Sequence, residues 1–578
     1  MHSLDLTTQH LRIIGNCCAD LGDNRTVSLY YLENIVECFQ RPNLVDVTLS
    51  VLYNLCNDFE DGQTAAARMN LNRIICNLFT SGRLSPDTEA ASRAIDLLSW
   101  SAERMTASIL QEIVADDSGS SLAQILQLCL DTQDPEDYDN LLSVCVAYLR
   151  DKDLQQRVAS QPALLTLLLN VYQDAVERLT DSQLASGNIS KTLMNILARL
   201  SDVSALDAYS KSGLYSISSP FTQRLTKLLQ SDSMYLRICG SILLGNLAVS
   251  DEACLALLQN NHVNVTLLDM LRTSTDLEVL HAAAGCLSHL ARPQGTKAHL
   301  ISDGILPATF RLFSFDHQTL RLDAAVIVRE LTSHSYECTR HIIKDIVPAD
   351  DVSEPETYHS SLLKMAQLGG PAALQIARAI IFMLRSIHST DSESVTETDK
   401  SALLASFFHS SLVARPLLLL IKQEDPLLRS EAWFGLALMA RHEAGATLIA
   451  KGLEDDNVFK RLEEVLTIPG RKRESSFGSM RDFEWEKEEE SPVETRDKKE
   501  SVAKTEDALM KAGEEGTEKG KMNKENALVM VLETSKNAVG DVWRISGFLL
   551  ANELQNVDRE MKSKLRELME MNVVGNSL

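Results

Sequence analysis

Aromatic residues make up only 5% of this 578-residue chain, and it has only 14 prolines. That scarcity suits stacked helices better than sheets, which draw on aromatic side chains for their faces. No uninterrupted apolar run approaches the ~20 residues of a membrane span, so direct membrane insertion is not expected. The opening stretch MHSLDLTTQHLRIIGNCC has acidic and polar residues where a secretory leader needs a basic start and an apolar core. The closing GNSL offers no lipidation cysteine. There is no Gly-rich phosphate loop, nucleophile elbow or paired His-Asp motif, which argues against an enzyme and implies no cofactor. The eleven cysteines, among them Cys17, Cys18, Cys56, Cys145, Cys239 and Cys286, are an odd number without metal-ligand spacing. They read as buried free thiols in a reducing compartment: the cytoplasm, with the nucleus as a second location.

What the chain does have is a ladder of near-repeats. LRICGSILLGNLAVSDEA (Leu236–Ala253), VLHAAAGCLSHLARPQGT (Val279–Thr296) and LRLDAAVIVRELTSHSYE (Leu320–Glu337) share one apolar pattern, each flanked by shorter helical patterns. A period of some forty residues with three helices per unit marks an all-α armadillo-type right-handed superhelical solenoid. Aligning the third helices places Asn16, Asn54, Ser99, Tyr148, Arg199, Asn246, His289 and Glu330 at equivalent positions, with weaker repeats at Arg385 and near Ala437. The longer intervals are assigned to acidic loops: Asp131–Asn140, Pro348–Thr357 and Ser389–Lys400.

Composition breaks after Pro469–Gly470. Residues 1–470 are assigned to the solenoid. Residues 471–526, highly charged and poor in apolar side chains, are expected to be a disordered insert. Its Ser475, Ser476 and Ser491 are candidate phosphorylation sites. Apolar periodicity returns in residues 527–578, expected to form terminal helices that cap the stack.

The net charge is −24, and the insert, with 13 basic and 16 acidic residues, holds only −3 of it. The acidity therefore belongs to the solenoid, which disfavours nucleic acid and favours a basic protein partner. In an armadillo stack the third helices line the concave groove. Asn16 with Asp20, and Asn54 with Asp58, are spaced to share a helix face. Asn246 is followed by Asp251 and Glu252 where its helix is ending. Amides in such a ladder can bond an extended peptide while carboxylates attract its Lys or Arg; alternatively the asparagines bridge adjacent repeats. Importin-α-type grooves carry Trp one turn before each ladder Asn. Here those positions are Arg12, Ser50 and Ile242, and the only tryptophans are Trp100, Trp433, Trp485 and Trp543, so import-receptor function is not expected. His334, Cys338 and His341 have ligand-like spacing but lack a fourth partner, so no metal is expected there.

The segments Leu243–Leu271, Leu280–Ile305 and Glu424–Ile449, and more faintly Leu11–Arg25, resemble the smgGDS family, armadillo-repeat GDP-dissociation stimulators and chaperones of small GTPases. The resemblance implies binding of Rho- and Ras-type GTPases that end in a polybasic stretch and a prenylated cysteine. An acidic groove would hold the basic tail and an apolar slot the prenyl chain. It puts Asn246 at a groove asparagine, while His289 stands where the family tends to have Asn. The expected activity is stimulation of guanine-nucleotide exchange, prenylation chaperoning, or both, by a monomer. The alternative is an ataxin-10-like or catenin-like cytosolic scaffold with no effect on nucleotide exchange.

Overall fold

The computed structural model describes residues 2–116, 120–181, 187–348, 356–390, 395–453, 455–467, 526–527, 530 and 534. Among these the secondary structure is helical, with one isolated antiparallel bridge between Ile346 and Thr357. The chain forms two compact units, Met1–Thr296 and Lys297–Leu578. Both are built as armadillo-type repeats, in which the third helix of each repeat packs on the third helix of the next.

In the first unit these helices are α1 (His2–Asp20), α2 (Val45–Cys56), α3 (Glu89–Glu103), α4 (Pro135–Tyr148), α5 (Gly187–Ser204), α6 (Met234–Leu247) and α7 (Leu277–Leu290). Each packs on its successor. In the second unit α8 (Gln318–Thr332) packs on α9 (Gly370–Ser389), and α9 on α10 (Pro426–Ala440). The ten ladder positions read from the sequence fall on α1–α10, one per helix. The register is right to the helix in both units but not to the face: Ser99, Tyr148 and Ala437 are buried in the core, whereas Asn54, Asn246 and His289 are half-buried and Asn16 is exposed.

Helix α7 shows how the local sequence fixes such an element. Asp276 accepts the backbone N–H of Val279 at 2.9 Å and caps the helix. Leu280, Ala283, Leu287 and Leu290 follow at helical spacing and are fully buried. Val279, Ala282 and Cys286 are buried as well, because the helix is covered on more than one side. Each buried Leu is worth roughly 1.5–3 kcal/mol relative to exposure, a gain available only once neighbouring repeats are stacked.

Of the acidic segments assigned to loops, Asp131–Asn140 is mostly a helix start, while helices begin only at the end of Ser389–Lys400 and just after Pro348–Thr357. Asp134 caps α4, accepting the N–H groups of Glu136 and Asp137 at 3.0 and 3.1 Å, so Pro135–Asn140 is helical and Asp137 is buried. Thr396 and Asp399 form a reciprocal capping box opening the helix Glu397–Phe407, and Thr357 caps Tyr358–Ala366. Acidic residues gather there because helix N-termini present unpaired N–H groups and a positive dipole end. Residues 349–355 and 391–394 lie outside the described residues, as do 471–525 with Ser475, Ser476 and Ser491. Of the expected terminal helices only Ala527, Met530 and Thr534 are described. They are buried at one-face spacing, and the preceding Asn526 donates from Nδ2 to the carbonyl of Ser430 in α10 at 3.4 Å.

Helix α9, twenty residues long, is apolar enough to cross a membrane by length and composition. Its Ile376, Ala377, Ile380, Met383, Leu384 and Ile387 are instead buried between α8 and α10, which marks it as a core helix.

Glycine sets how closely successive third helices approach. A Cβ on Gly15 of α1 would stand 3.3 Å from the Val51 side chain of α2, and one on Gly245 of α6 would stand 3.3 Å from the Cα of Cys286 in α7. In the second unit a Cβ on Gly435 of α10 would meet Ile381 of α9 at 2.7 Å. Gly245→Val should therefore push α6 and α7 apart and destabilise the chain by about 1–3 kcal/mol. Urea denaturation followed by circular dichroism measures this, and an unchanged midpoint would mean that the contact is slack.

Candidate functional site

The glycine contacts bring ladder side chains onto the backbone of the preceding repeat. Asn54 of α2 donates from Nδ2 to the Gly15 carbonyl at 3.0 Å. Two hundred residues on, the Nδ1 of His289 in α7 lies 2.7 Å from the Gly245 carbonyl. The registers match: Gly15 and Gly245 directly precede the ladder positions Asn16 and Asn246. Asn246 itself donates from Nδ2 to the Ser204 hydroxyl of α5 at 2.7 Å. Asn54, Asn246 and His289 thus tie repeats together, which was the bridging alternative. The Oδ1 atoms of both asparagines remain as acceptors.

Asn16 is exposed on α1; the side chain of Asp20 lies outside the described residues. Asp58 does not share a helix face with Asn54. Helix α2 ends at Cys56, Asn57 is extended, and Asp58 takes a left-handed conformation at φ 50°. Past the helix end Arg25 donates to the Asn57 carbonyl at 2.6 Å, while also bonding the carbonyls of Cys18 and Ala19. Asp251 and Glu252 are exposed in the first turn of the helix Asp251–Asn261, capped by Ser250. They belong to a different helix from Asn246 and suit the positive end of its dipole.

A carboxylate group that the sequence reading missed lies on α3 and α4. The Ser92 hydroxyl donates to Asp137 at 2.8 Å, and Asn140 donates from Nδ2 to Asp96 at 3.1 Å. Glu136 and Asp139 stand exposed on the same helix as Asp137. Among the described residues no Lys or Arg pairs with these four carboxylates. Desolvation and the adjacent charges of Asp137 and Glu136 push Asp96 up to about 6. Desolvation also raises Asp137, against the hydrogen bond from Ser92. By contrast Asp46 of α2 and Glu89 of α3 share Arg93, which also donates to Ser50. The only legible signal was the acidic run 131–140, which its assignment as a loop hid. An aromatic pair spans α2 and α3 beside the ladder: the Tyr53 and Trp100 rings lie 5.1 Å apart.

The trio His334, Cys338 and His341 does not converge. His341 uses Nδ1 on Asp345 at 2.7 Å and Nε2 on Glu337 at 3.1 Å, and Cys338 is buried. Among the described residues no group of three or more His, Cys, Asp or Glu side chains is arranged to hold a metal.

No protein-family model matches the chain. It is similar to the Rap1 GTPase-GDP dissociation stimulators 1-A and 1-B of Xenopus laevis. With the first it is 22% identical over 360 residues, 60% of this chain and 57% of that protein. With the second it is 21% identical over 497 residues, 83% of this chain and 76% of that one. The chain thus spans little more than half the length of the first. Among solved structures, a chain from work on the cadherin–β-catenin interaction matches at a TM-score of 0.47 and 14% identity, over 80% of this chain and 88% of that one. A designed armadillo repeat protein matches at 0.32 and 18%, over 45% and 100%. The resemblance read from the repeats is the one that the sequence comparison returns.

Two measurements test this geometry. Asn246→Ala should cost about 0.5–1.5 kcal/mol of stability through loss of the bond to Ser204, whether or not a partner is present. An unaltered denaturation midpoint would return Asn246 to a purely ligand-facing role. Asp96 holds its proton more tightly folded, at about 6, than at its ordinary 3.8. The stability it contributes is thus present at low pH and lost as pH rises through 6. Asp96→Asn should raise the melting temperature at pH 7.5, with a smaller gain at pH 5; a gain independent of pH would mean that charge is not the cause.

Proposed function

We propose that this chain binds small GTPases of the Rho/Ras type through their basic, prenylated or prenylatable C-terminal tails. It acts in the cytoplasm as a GDP-dissociation stimulator, a prenylation chaperone, or both. The observation that carries the reading is the similarity to the two Rap1 GTPase-GDP dissociation stimulators, one of them aligned over 83% of this chain. The first-unit carboxylates that accept only neutral donors among the described residues, with Thr192 donating to Asp139 at 3.3 Å, support it. A basic tail lying across α3 and α4 meets Asp96, Glu136 and Asp139 without displacing an internal Lys or Arg, and so gains attraction without breaking an existing ion pair. Backbone N–H groups of the tail can be accepted by the Oδ1 atoms that Asn54 and Asn246 leave over.

Stimulation of GDP release needs no catalytic residue. A protein that binds the nucleotide-free GTPase more tightly than the GDP-bound form lowers GDP affinity by the same factor. Arrival of a Lys or Arg beside Asp96 favours its ionised form, so binding near pH 6 should release a proton, and affinity should rise from pH 5 to pH 7.

The direct test is fluorescence anisotropy of a labelled polybasic GTPase tail, run beside a GDP-release assay with the whole GTPase. Affinity should fall steeply from low to high salt, since charges are screened over ~8 Å at 0.15 M. Charge reversal of Glu136 and Asp139, both exposed, should weaken binding at least tenfold, on the order of 1.4 kcal/mol, while leaving circular dichroism unchanged. Salt-independent binding, or a folded variant that binds as the parent does, removes the acidic face from the site. A chain that neither binds any GTPase tail nor alters GDP release would overturn the function itself.

A further inference from the structure

The face that carries the acidic group also carries an aromatic pair whose polar ends the fold leaves open. Tyr53 of α2 and Trp100 of α3 are both half-buried, with ring centroids 5.1 Å apart and planes tilted by 45°. Each is next in sequence to a ladder position, Asn54 and Ser99 respectively. A packed Tyr or Trp usually finds a partner for its O–H or N–H, as Tyr172 and Tyr209 do on the carbonyls of Tyr235 and Leu243. Among the described residues neither Tyr53 nor Trp100 makes such a bond. Elsewhere the chain covers a ring with its own cation: Arg178 stands 4.3 Å over Tyr138, and Arg311 5.0 Å over Phe315. Among the described residues no Lys or Arg stands over Tyr53 or Trp100. One turn before Trp100 on the same face of α3 is Asp96, whose Oδ1 accepts from Asn140 and whose Oδ2 has no donor among the described residues. Arg93, on the preceding turn, is already held by Glu89 and Asp46.

We propose that Tyr53, Trp100 and Asp96 form a subsite that takes an arginine side chain of the bound basic tail in preference to lysine. The subsite presupposes the basic tail of the preceding section and sets which cation this face selects. A planar guanidinium can lie against an aromatic ring and donate from its edge to a carboxylate at the same time. An ammonium is a compact, strongly hydrated point charge that gains nothing from the ring's flatness. The spacing suits one side chain making both contacts, because residues four apart on a helix stand about 5–6 Å apart between Cβ atoms. Charge is complementary as well. Asn140 joins Asp96 to α4, where Glu136 and Asp139 are exposed to attract the neighbouring cations of the same tail. The indole N–H and the phenol O–H are donors for the backbone carbonyls of an extended segment lying across α2 and α3.

Fluorescence anisotropy of the full chain with two labelled peptides tests this. The peptides share length, charge and sequence, except that one carries arginine and the other lysine at every basic position. The unsubstituted chain should bind the arginine peptide about fivefold more tightly, the scale of a cation–π contact. Trp100→Leu and Tyr53→Leu should each bring the two affinities within about twofold of one another, chiefly by weakening the arginine peptide. To guard against unfolding of either variant, the unsubstituted chain is also footprinted with hydroxyl radicals and read by peptide mass spectrometry. The arginine peptide should protect Tyr53 and Trp100 more than the lysine peptide does, while exposed Tyr30 reacts as before. Equal affinities for the unsubstituted chain, an arginine preference kept by folded variants, or no protection would each overturn the subsite and leave the basic-tail reading standing. Protection by farnesyl cysteine methyl ester and not by the arginine peptide would assign the rings to a lipid, which overturns it too. Binding of neither peptide would remove the basic-tail reading and the subsite together.

Discussion

The close approach of consecutive third helices is the constraint on which the first unit rests. Where a repeat carries glycine just before its ladder position, the next helix comes near enough for a side-chain nitrogen to reach a helical carbonyl. Gly15 with Asn54, and Gly245 with His289, repeat this geometry at opposite ends of the unit. The bond itself is worth little net. Its importance is register, because apolar stacking alone would tolerate sliding, whereas a donor aimed at one carbonyl does not.

The same polar ladder shows how stability and recognition divide the available groups. Asn54, Asn246 and His289 spend their donors on the neighbouring repeat. Glu136 and Asp139 are left in solvent with no basic partner among the described residues, and Asp96 is half-buried beside two like charges. Such an arrangement weakens the folded state at neutral pH and favours an incoming cation, the trade expected where a surface is kept for binding.

The second unit closes its ladder differently. Arg329 of α8 donates to Gln375 of α9 at 2.5 Å, and Arg378 of α9 pairs with Glu431 of α10 at 2.6 Å. Guanidinium groups span the gap that asparagine and histidine span in the first unit. Their charges are already neutralised or bonded, unlike the carboxylates Asp96, Glu136, Asp137 and Asp139 of α3 and α4, which no Lys or Arg pairs with among the described residues.

The sequence alone determined the repeat. The recurring apolar spacing placed one ladder residue on each of ten third helices, because that signal is local and periodic. It also carried the resemblance to the GDP-dissociation stimulators, which the sequence comparison returned over 60% and 83% of this chain. It could not say what each polar residue does. Whether Asn246 faces a ligand or Ser204 depends on a hydroxyl 42 residues away. Asp58 lies beyond its helix, where Arg25 from an earlier helix holds the Asn57 carbonyl. Asp137 looked like loop and is core, since an acidic run reads alike whether it crosses solvent or starts a helix. Partners that lie a repeat apart are set only by stacking, and stacking is where this chain decides which of its charges are buried, which are paired and which remain for another molecule.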